Sequence, residues 1–94
     1  MNQDLTHNKI VIGDNVSWVV NDNNIVILCK KTKEQFIINY PEAAIWDLIS
    51  RQSDLTMIIK KMQIITNKTG IKKVDVLTKK TILFWQVKKL IKAI

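Results

Sequence analysis

The sequence has very few of the residues that usually carry catalysis or bind metal ions. Its 94 residues include one histidine, His7, and one cysteine, Cys29. A structural zinc site needs about four such ligands, and a serine or cysteine nucleophile needs a base beside it. Cys29 lies in an apolar run, where a thiol usually packs as a small hydrophobic side chain. We therefore expect no metal site and no enzymatic activity.

Glycine and proline are also scarce, since the chain contains only Gly13, Gly70 and Pro41. Two separated glycines cannot build a glycine-rich phosphate-binding loop, so no nucleotide cofactor is expected. Their low number also argues against a disordered or linker-rich chain. A chain of this length can build one small core. We expect a single domain over residues 14–94, preceded by a polar, flexible arm over residues 1–13.

Long apolar runs are absent as well. No run approaches the roughly 20 residues that a membrane-spanning helix needs, and no signal sequence is recognisable at the start. One cysteine cannot form an internal disulfide, which is typical of a reducing compartment. The sequence therefore predicts a cytoplasmic protein without a membrane partner.

Positive charge is abundant but unevenly distributed. The chain has 15 basic and 8 acidic residues, and its formal net charge is +7. Ten of the lysines fall in residues 55–94, where Asp75 is the one acidic residue. A basic half indicates an anionic partner such as nucleic acid, anionic lipid or an acidic peptide. Lysines that only solvate the outer faces of helices would give the same composition.

The first half of the chain has the pattern of β-strands. Val16, Trp18 and Val20 recur at every second position, and an Asn-Asp-Asn-Asn turn follows at residues 21–24. Residues 25–30 form a second, largely apolar strand, and residues 34–39 form a third. Three strands joined by short turns predict an antiparallel meander.

The second half has the pattern of helices. Pro41 suits the first turn of a helix over residues 41–51, and Ser53-Asp54 suits the cap of a second helix. The apolar face of the second helix is predicted to contain Leu55, Ile58, Ile59, Met62 and Ile65. A third helix should begin between Asp75 and Thr81 and run almost to the end of the chain. Its predicted core stripe is Leu83, Val87, Leu90 and Ile94, with a neighbouring stripe of Leu77, Phe84 and Ile91.

The junction between the third strand and the first helix resembles a known family. The residues that carry this resemblance are Ile38-Asn39, Ala43, Ile45-Trp46 and Leu48-Ile49, with Asp54, Ile58 and Met62 in the second helix. They resemble the PqqD-like family, also called the RiPP recognition element, of peptide-modification pathways. The resemblance covers about residues 16–94. It implies an α+β, winged-helix-like domain in which a three-stranded antiparallel sheet is followed by three helices.

The resemblance also implies a function. Members bind the leader segment of a ribosomally made precursor peptide, which adds as a strand to the third strand and lies against the third helix. An edge strand suits this role because its unpaired peptide groups can bind an extended chain. The residues expected to bind the peptide are Lys33, Glu34, Gln35, Phe36, Ile37, Ile38, Asn39, Lys80, Thr81, Phe84, Trp85 and Lys88.

The partners follow from the same resemblance. The precursor peptide is expected to be acidic, which would match the basic half of the chain. A separate enzyme, such as a radical-SAM enzyme, a cyclase or a protease, would modify the peptide. Because an uncovered edge strand can also pair with a second copy, the stand-alone domain is expected to be a monomer or weak dimer.

Two other functions remain open from the residues alone. A winged-helix DNA-binding protein would share the small size, the three helices and the positive charge. Base readout favours Arg, Asn and Gln, however, and Arg51 is the only arginine. The strands also precede all the helices, whereas a wing usually follows its recognition helix, so nucleic acid is not the expected partner. The second possibility is a structural subunit that binds its enzyme through an exposed strand.

Overall fold

The computed structural model describes residues 9–51, 54–67 and 73–93. These residues form five strands and three helices. In chain order they are β1 (Ile10–Ile12), β2 (Val16–Val20), β3 (Asn24–Cys29), β4 (Gln35–Asn39), α1 (Glu42–Ser50), α2 (Leu55–Asn67), α3 (Val74–Val87) and β5 (Ile91–Ala93). Within these ranges no helix has both the length and the apolar character that a bilayer crossing requires.

The main sheet is antiparallel and has the order β2-β3-β4, so β3 lies in the middle. Its register pairs Val16 with Cys29, and it pairs Ile27 with both Trp18 and Phe36. The α+β fold predicted from the sequence is confirmed. The predicted third strand corresponds to β4, and each predicted strand boundary differs from the observed one by at most one residue.

Alternation along the strands gives the sheet one covered face and one open face. Ile25, Ile27 and Cys29 of β3 are buried, whereas Leu28 is exposed. Because side chains alternate across a strand, the buried set faces the helices. The helices contribute the rest of the core, including Ile45, Trp46, Leu48 and Ile49 of α1 and Leu55, Ile58 and Met62 of α2.

Trp46 lies at the centre of this core. Its ring is fully buried and makes edge-to-face contacts with Trp18 and Trp85, with ring centroids 6.0 Å and 5.1 Å away. Such aromatic pairs add about 0.5–1.5 kcal/mol beyond the area they bury. The three rings connect β2, α1 and α3, so they fix the position of the third helix relative to the sheet.

A second, two-stranded sheet was not predicted. In it, β1 pairs antiparallel with β5, with Ile10 opposite Ala93 and Ile12 opposite Ile91. Gly13 follows β1 and donates its N–H to the carbonyl of Leu90 at 2.9 Å. A Cβ at Gly13 would lie 3.1 Å from the carbonyl oxygen of Lys89, so this approach favours glycine.

The prediction of a flexible arm through residue 13 is therefore wrong for its last part. Residues 1–8 lie outside the described residues, but Ile10 is completely buried. The error has a physical reason. A three-residue strand has almost no local periodicity, and the partner that orders β1 is about 80 positions away in the chain.

The predicted core face of the third helix is also wrong. The helix begins at Val74, just before the predicted window, and buries Val74, Thr78, Ile82 and Trp85. Leu83 and Val87 are 57% and 77% exposed, and the predicted Ile94 lies outside the described residues. The true stripe includes a threonine, whose hydroxyl donates to the carbonyl of Val74 at 2.7 Å. A search for apolar side chains alone does not detect that position.

The third helix also ends earlier than predicted. After Val87, Lys89 adopts a left-handed backbone with φ of 60°. Leu90 then donates its N–H to the carbonyl of Trp85, and Lys89 donates to that of Gln86, each at 2.9 Å. This is the Schellman ending of a helix. It explains why Leu90 and Ile91 are buried although they do not lie on a face of α3.

The predicted face of α2 needs one correction. Leu55, Ile58 and Met62 are buried as expected, but Ile65 is 39% exposed and Thr66 is buried in its place. The Thr66 hydroxyl donates to the carbonyl of Met62 at 2.6 Å, which removes the cost of burying it. As in α3, a self-satisfied threonine completes the core stripe.

The left-handed position of Lys89 generates a stability prediction. Glycine adopts this backbone without the penalty of about 1–2 kcal/mol that a Cβ incurs, but it gains flexibility in the unfolded chain. We expect Lys89→Gly to raise the free energy of unfolding by about 0.5–1 kcal/mol, measured by urea denaturation. Lys79→Gly, in the middle of α3, is the control and should lower it by about 1 kcal/mol. A loss of stability in Lys89→Gly would contradict this description of the helix end.

Candidate functional site

The strand β4 forms one edge of the main sheet. It pairs with β3 on one side, and none of the described strands pairs with its other side. The turn that precedes β4 determines which of its peptide groups point to β3 and which point away from the sheet. Lys33 donates its N–H to the carbonyl of Cys29 at 2.8 Å, and Cys29 donates to the carbonyl of Glu34 at 2.9 Å. The N–H and C=O of Cys29 therefore both point to the start of β4, where Lys33 forms a bulge and Glu34 lies opposite Cys29.

Hydrogen-bonded pairs alternate with non-bonded pairs along an antiparallel ladder. With the observed register, Phe36 bonds to Ile27 and Ile38 bonds to Ile25. The intervening residues of β4 direct their peptide groups away from the sheet: they are Gln35, Ile37 and Asn39. The β2–β3 pairing agrees, because Lys30 donates to the carbonyl of Asn15 and Asn21 to that of Asn24. These bonds show that the peptide groups of the even-numbered residues of β3 point to β2, so those of the odd-numbered residues point to β4.

The side chains of β4 point to two different environments. Phe36 and Ile38 lie on the helix side and are half-buried against the core. Ile37 points to the open face of the sheet and is 63% exposed. There it stands in one cross-strand row with Val26 and Val19. An extended chain added to β4 would therefore meet a helix-lined side and an open side.

Helix α3 faces the helix-lined side of this edge. Leu77, Thr81, Phe84 and Lys88 recur at spacings of four, three and four, so they form one stripe beside the core stripe of α3. The ammonium Nζ of Lys88 lies 3.6 Å from Oε2 of Glu34, which joins the end of α3 to the start of β4. Helix α1 contacts both β4 and α3, so it forms the floor between them. We call this space the β4–α3 groove.

The predicted site residues fall into three classes of exposure. Eight are exposed, three are half-buried and one is buried. The exposed ones are Lys33, Glu34, Gln35, Ile37, Asn39, Lys80, Phe84 and Lys88; the half-buried ones are Phe36, Ile38 and Thr81. Among these twelve, Glu34 and Lys88 form the ion pair across the groove. The peptide-binding role of the set stays a prediction.

The predicted position of Trp85 is wrong. Its side chain is 2% exposed and contacts Trp46, so it lies beneath the groove and does not line it. Adjacent residues of a helix point about 100° apart. Because Phe84 is 51% exposed on the groove side, Trp85 must turn into the core. Leu77, which was assigned to the stripe but not to the site, is the half-buried side chain that completes the wall.

Three other features of the described residues bear on possible chemistry: metal ligands, the cysteine and a cavity. The described residues contain no group of three or more His, Cys, Asp or Glu side chains placed to hold a metal ion. Cys29 is buried, and a hydrogen bond from the Thr32 hydroxyl lowers the pKa of its thiol. A cavity of about 400 Å³ lies between the β2–β3 turn and α1, lined by residues that include Val20, Ala43 and Asp47. Ala43 and Ala44 of α1 are among its lining residues, and no sequence motif indicated it.

The fold can be compared with known proteins. No protein-family model matches the chain, and no curated protein matches it in sequence. Among solved structures it is similar to TbiB1 in complex with the TbiA(beta) leader peptide. The TM-score is 0.76 at 19% sequence identity, over 87% of this chain and 94% of that one. The chain has the TbiB1 fold. This likeness confirms the α+β fold, a three-stranded antiparallel sheet with three helices, that the sequence resemblance implied.

Phe84 is exposed and Trp85 is buried, so substitutions at the two positions should change the stability of the protein by different amounts. We expect Trp85→Ala to lower the free energy of unfolding by about 3–5 kcal/mol, because it empties part of the core. Phe84→Ala should change it by less than about 1 kcal/mol, since half of that ring is already in water. Urea denaturation of both variants measures the difference. Equal losses of stability would contradict the assignment of Trp85 to the core and Phe84 to the groove.

The alternation of peptide groups predicts a pattern of amide hydrogen exchange. In the free protein, the amides of Gln35, Ile37 and Asn39 should exchange at least about tenfold faster than those of Phe36 and Ile38. Val26 and Ile27 of the central strand are the control, because both should be protected. Heteronuclear NMR after transfer to D₂O resolves these amides. An Ile37 amide as protected as that of Phe36 would mean that another element covers the edge.

Proposed function

We propose that this chain binds the leader segment of a ribosomally synthesised precursor peptide by strand addition to β4, and presents it to a separate modifying enzyme. The observation that carries this proposal is the outward direction of the peptide groups of Gln35, Ile37 and Asn39 beside the β4–α3 groove. The fold likeness supports it, because TbiB1 was solved with a leader peptide.

The energetics require contributions from both the backbone and side chains. Three outward residues offer three N–H and three C=O groups, and each hydrogen bond contributes about 0.5–1.5 kcal/mol net. Ordering the guest backbone costs about 1–2 kcal/mol per residue, which roughly cancels that gain. Apolar burial must then supply the affinity, at about 25 cal/mol per Å². Phe84, Phe36 and Ile38 are among the apolar side chains on the groove side that can provide it.

Selectivity should come from the groove side of the guest. Alternate guest side chains point to opposite faces of the extended sheet. Those on the helix side meet Thr81, Phe84 and Lys88, whereas those on the other side meet open solvent near Ile37. The positive charge of α3 and the residues that follow it favours an acidic leader. Lys80 lies further out on the same helix and extends this charge.

The proposed role requires no chemistry from this chain. A bound leader holds the rest of the precursor near the modifying enzyme, at an effective concentration that is about millimolar for a short linker. A radical-SAM enzyme, a cyclase or a protease would each suit such a substrate-presenting partner. We propose that the domain acts as a monomer or a weak dimer, since a β4 edge paired with a second copy would exclude the leader.

The surface of α3 disfavours the alternative of DNA binding. Its outward face carries Val76, Leu83 and Val87, all of them exposed. A recognition helix instead presents side chains that hydrogen-bond to base edges or phosphates. Lysines such as Lys79 and Lys80 could contact phosphates, but the aliphatic side chains that lie between these two lysines on the helix surface leave little for base readout.

The decisive variant removes one outward N–H from the edge. Ile37→Pro lacks that donor and also blocks the approach of a guest strand. We expect it to weaken binding by about tenfold or more, which is 1.4 kcal/mol or more. The ligand is a 15-residue peptide selected from a random displayed library on the wild-type chain, or a short precursor encoded beside its gene. Isothermal titration calorimetry gives the affinity.

The matched control is Ile37→Thr, which changes the same side chain but keeps the N–H and the preference for strand. It should bind within about threefold of the wild type, since side chain 37 faces away from the groove. Circular dichroism checks that both variants remain folded. If Ile37→Pro binds as tightly as Ile37→Thr, strand addition at β4 is excluded.

A further inference from the structure

The ion pair at the end of the β4–α3 groove has an unusual placement. It links the two walls between which a guest strand would lie, because Glu34 directly precedes β4 and Lys88 caps α3. Glu34 has the same strand parity as Phe36 and Ile38, so its side chain points to the helix side. The protein therefore places one of its own carboxylates inside the space where the guest side chains are expected.

The two partners differ in how firmly they are held. Lys88 donates its backbone N–H to the carbonyl of Phe84 at 3.0 Å, and its ammonium lies 5.9 Å from the centroid of the Phe84 ring. This cation–π contact keeps the charge beside the groove independently of Glu34. Glu34 holds Lys88 loosely, because the 3.6 Å separation is longer than a good hydrogen bond. The carboxylate is therefore the exchangeable partner.

We propose that Glu34 occupies, in the free protein, the position that a guest carboxylate takes in the complex. Lys88 then selects an acidic residue in the peptide, and Glu34 competes with that residue. This inference rests on the proposed strand addition and assigns its charge specificity. The selected residue is the guest position opposite Glu34, next to the one that pairs with Gln35.

Strand geometry brings that guest residue to Lys88. An added strand lies about 4.8 Å from β4, towards α3. Guest side chains on the helix side are those opposite Glu34, Phe36 and Ile38, and the first of these lies at the Lys88 end. A guest acid there would also stand about 5 Å from Glu34, where like charges repel. Removing the Glu34 charge should therefore strengthen the binding of an acidic guest.

The expected effect is modest and measurable. Both side chains of the ion pair are partly exposed, 38% for Lys88 and 48% for Glu34. Pairs in such positions change an affinity by at most about fivefold, and salt screens them. Glu34→Gln should raise the affinity for an acidic guest by about two- to fivefold. Lys88→Gln should reduce it by a similar factor.

The test begins with random 15-residue peptides displayed on phage and selected separately on the wild type, Lys88→Gln and Glu34→Gln. Peptides from the wild-type selection should carry Asp or Glu at one helix-side position, and those from Lys88→Gln should not. One acidic peptide and its Gln counterpart are then titrated calorimetrically into each variant. The wild type should prefer the acidic form, Lys88→Gln should lose this preference, and Glu34→Gln should increase it. About 0.5 M salt should diminish the preference in the wild type.

The chain offers a matched control for both substitutions. Lys92 and Asp14 form another exposed ion pair, with Nζ and Oδ2 3.3 Å apart, between β5 and the turn after β1. Lys92→Gln and Asp14→Asn make the same changes of net charge outside the groove. They should leave the preference for the acidic peptide unchanged. If they shift it as much as the groove variants do, the effect belongs to overall charge and the inference is overturned.

The outcomes also separate this inference from the proposed function. One outcome is that selected peptides lose their binding in Ile37→Pro and yet show no preference for an acidic residue. That result would overturn the role of Lys88 and leave strand addition standing. A Glu34→Gln variant that binds the acidic peptide more weakly than the wild type would show that Glu34 supports the guest and does not compete with it. Failure to select any peptide that is sensitive to Ile37→Pro would overturn both proposals.

Discussion

Among the described strands β4 pairs on one side only, and this is the constraint from which the account follows. Backbone N–H and C=O groups need hydrogen-bond partners, and in β4 those of Phe36 and Ile38 find them in β3. The groups of Gln35, Ile37 and Asn39 have no partner in the strands that the structure describes. Water satisfies them cheaply, but an extended chain can replace it and add the burial of its side chains. The edge can therefore be stable in the free protein and also accept a guest strand, as we propose.

The rest of the fold positions this edge. The hydrogen bonds of Cys29 with Lys33 and Glu34 set the parity of β4, and the left-handed Lys33 makes that turn possible. Trp46 holds α3 in place through its contact with Trp85. The indole N–H of Trp46 has no acceptor within the described residues, at a cost of about 1–3 kcal/mol. The Schellman turn then ends α3 at the level where Lys88 reaches Glu34, and it starts the chain toward β5.

The success of the sequence-based predictions depended on how local each signal is. The alternation of Val16, Trp18 and Val20 and the apolar spacing of α1 need no distant information, so these elements were predicted closely. The pairing of β1 with β5 depends on contacts across nearly the whole chain, which no local pattern contains.

The predicted end of α3 was wrong for another reason. Lysine at position 89 adopts a backbone usually taken by glycine, and Leu83, Val87 and Leu90 resemble a continued core stripe. Phe84 and Trp85 were both predicted to line the peptide site, and only the rotation of α3 about its axis shows that Phe84 is exposed and Trp85 is buried.

The most direct measurement is a set of intermolecular nuclear Overhauser effects in a complex of the labelled chain with a selected peptide. Strand addition predicts regular contacts between the peptide backbone and Gln35, Ile37 and Asn39, with slowed amide exchange at these three residues alone in β4. Helix-side peptide protons should contact Phe84. Peptide contacts confined to the edge of β2 or to the outer face of α3, with β4 amides that exchange as fast as in the free protein, would contradict the account.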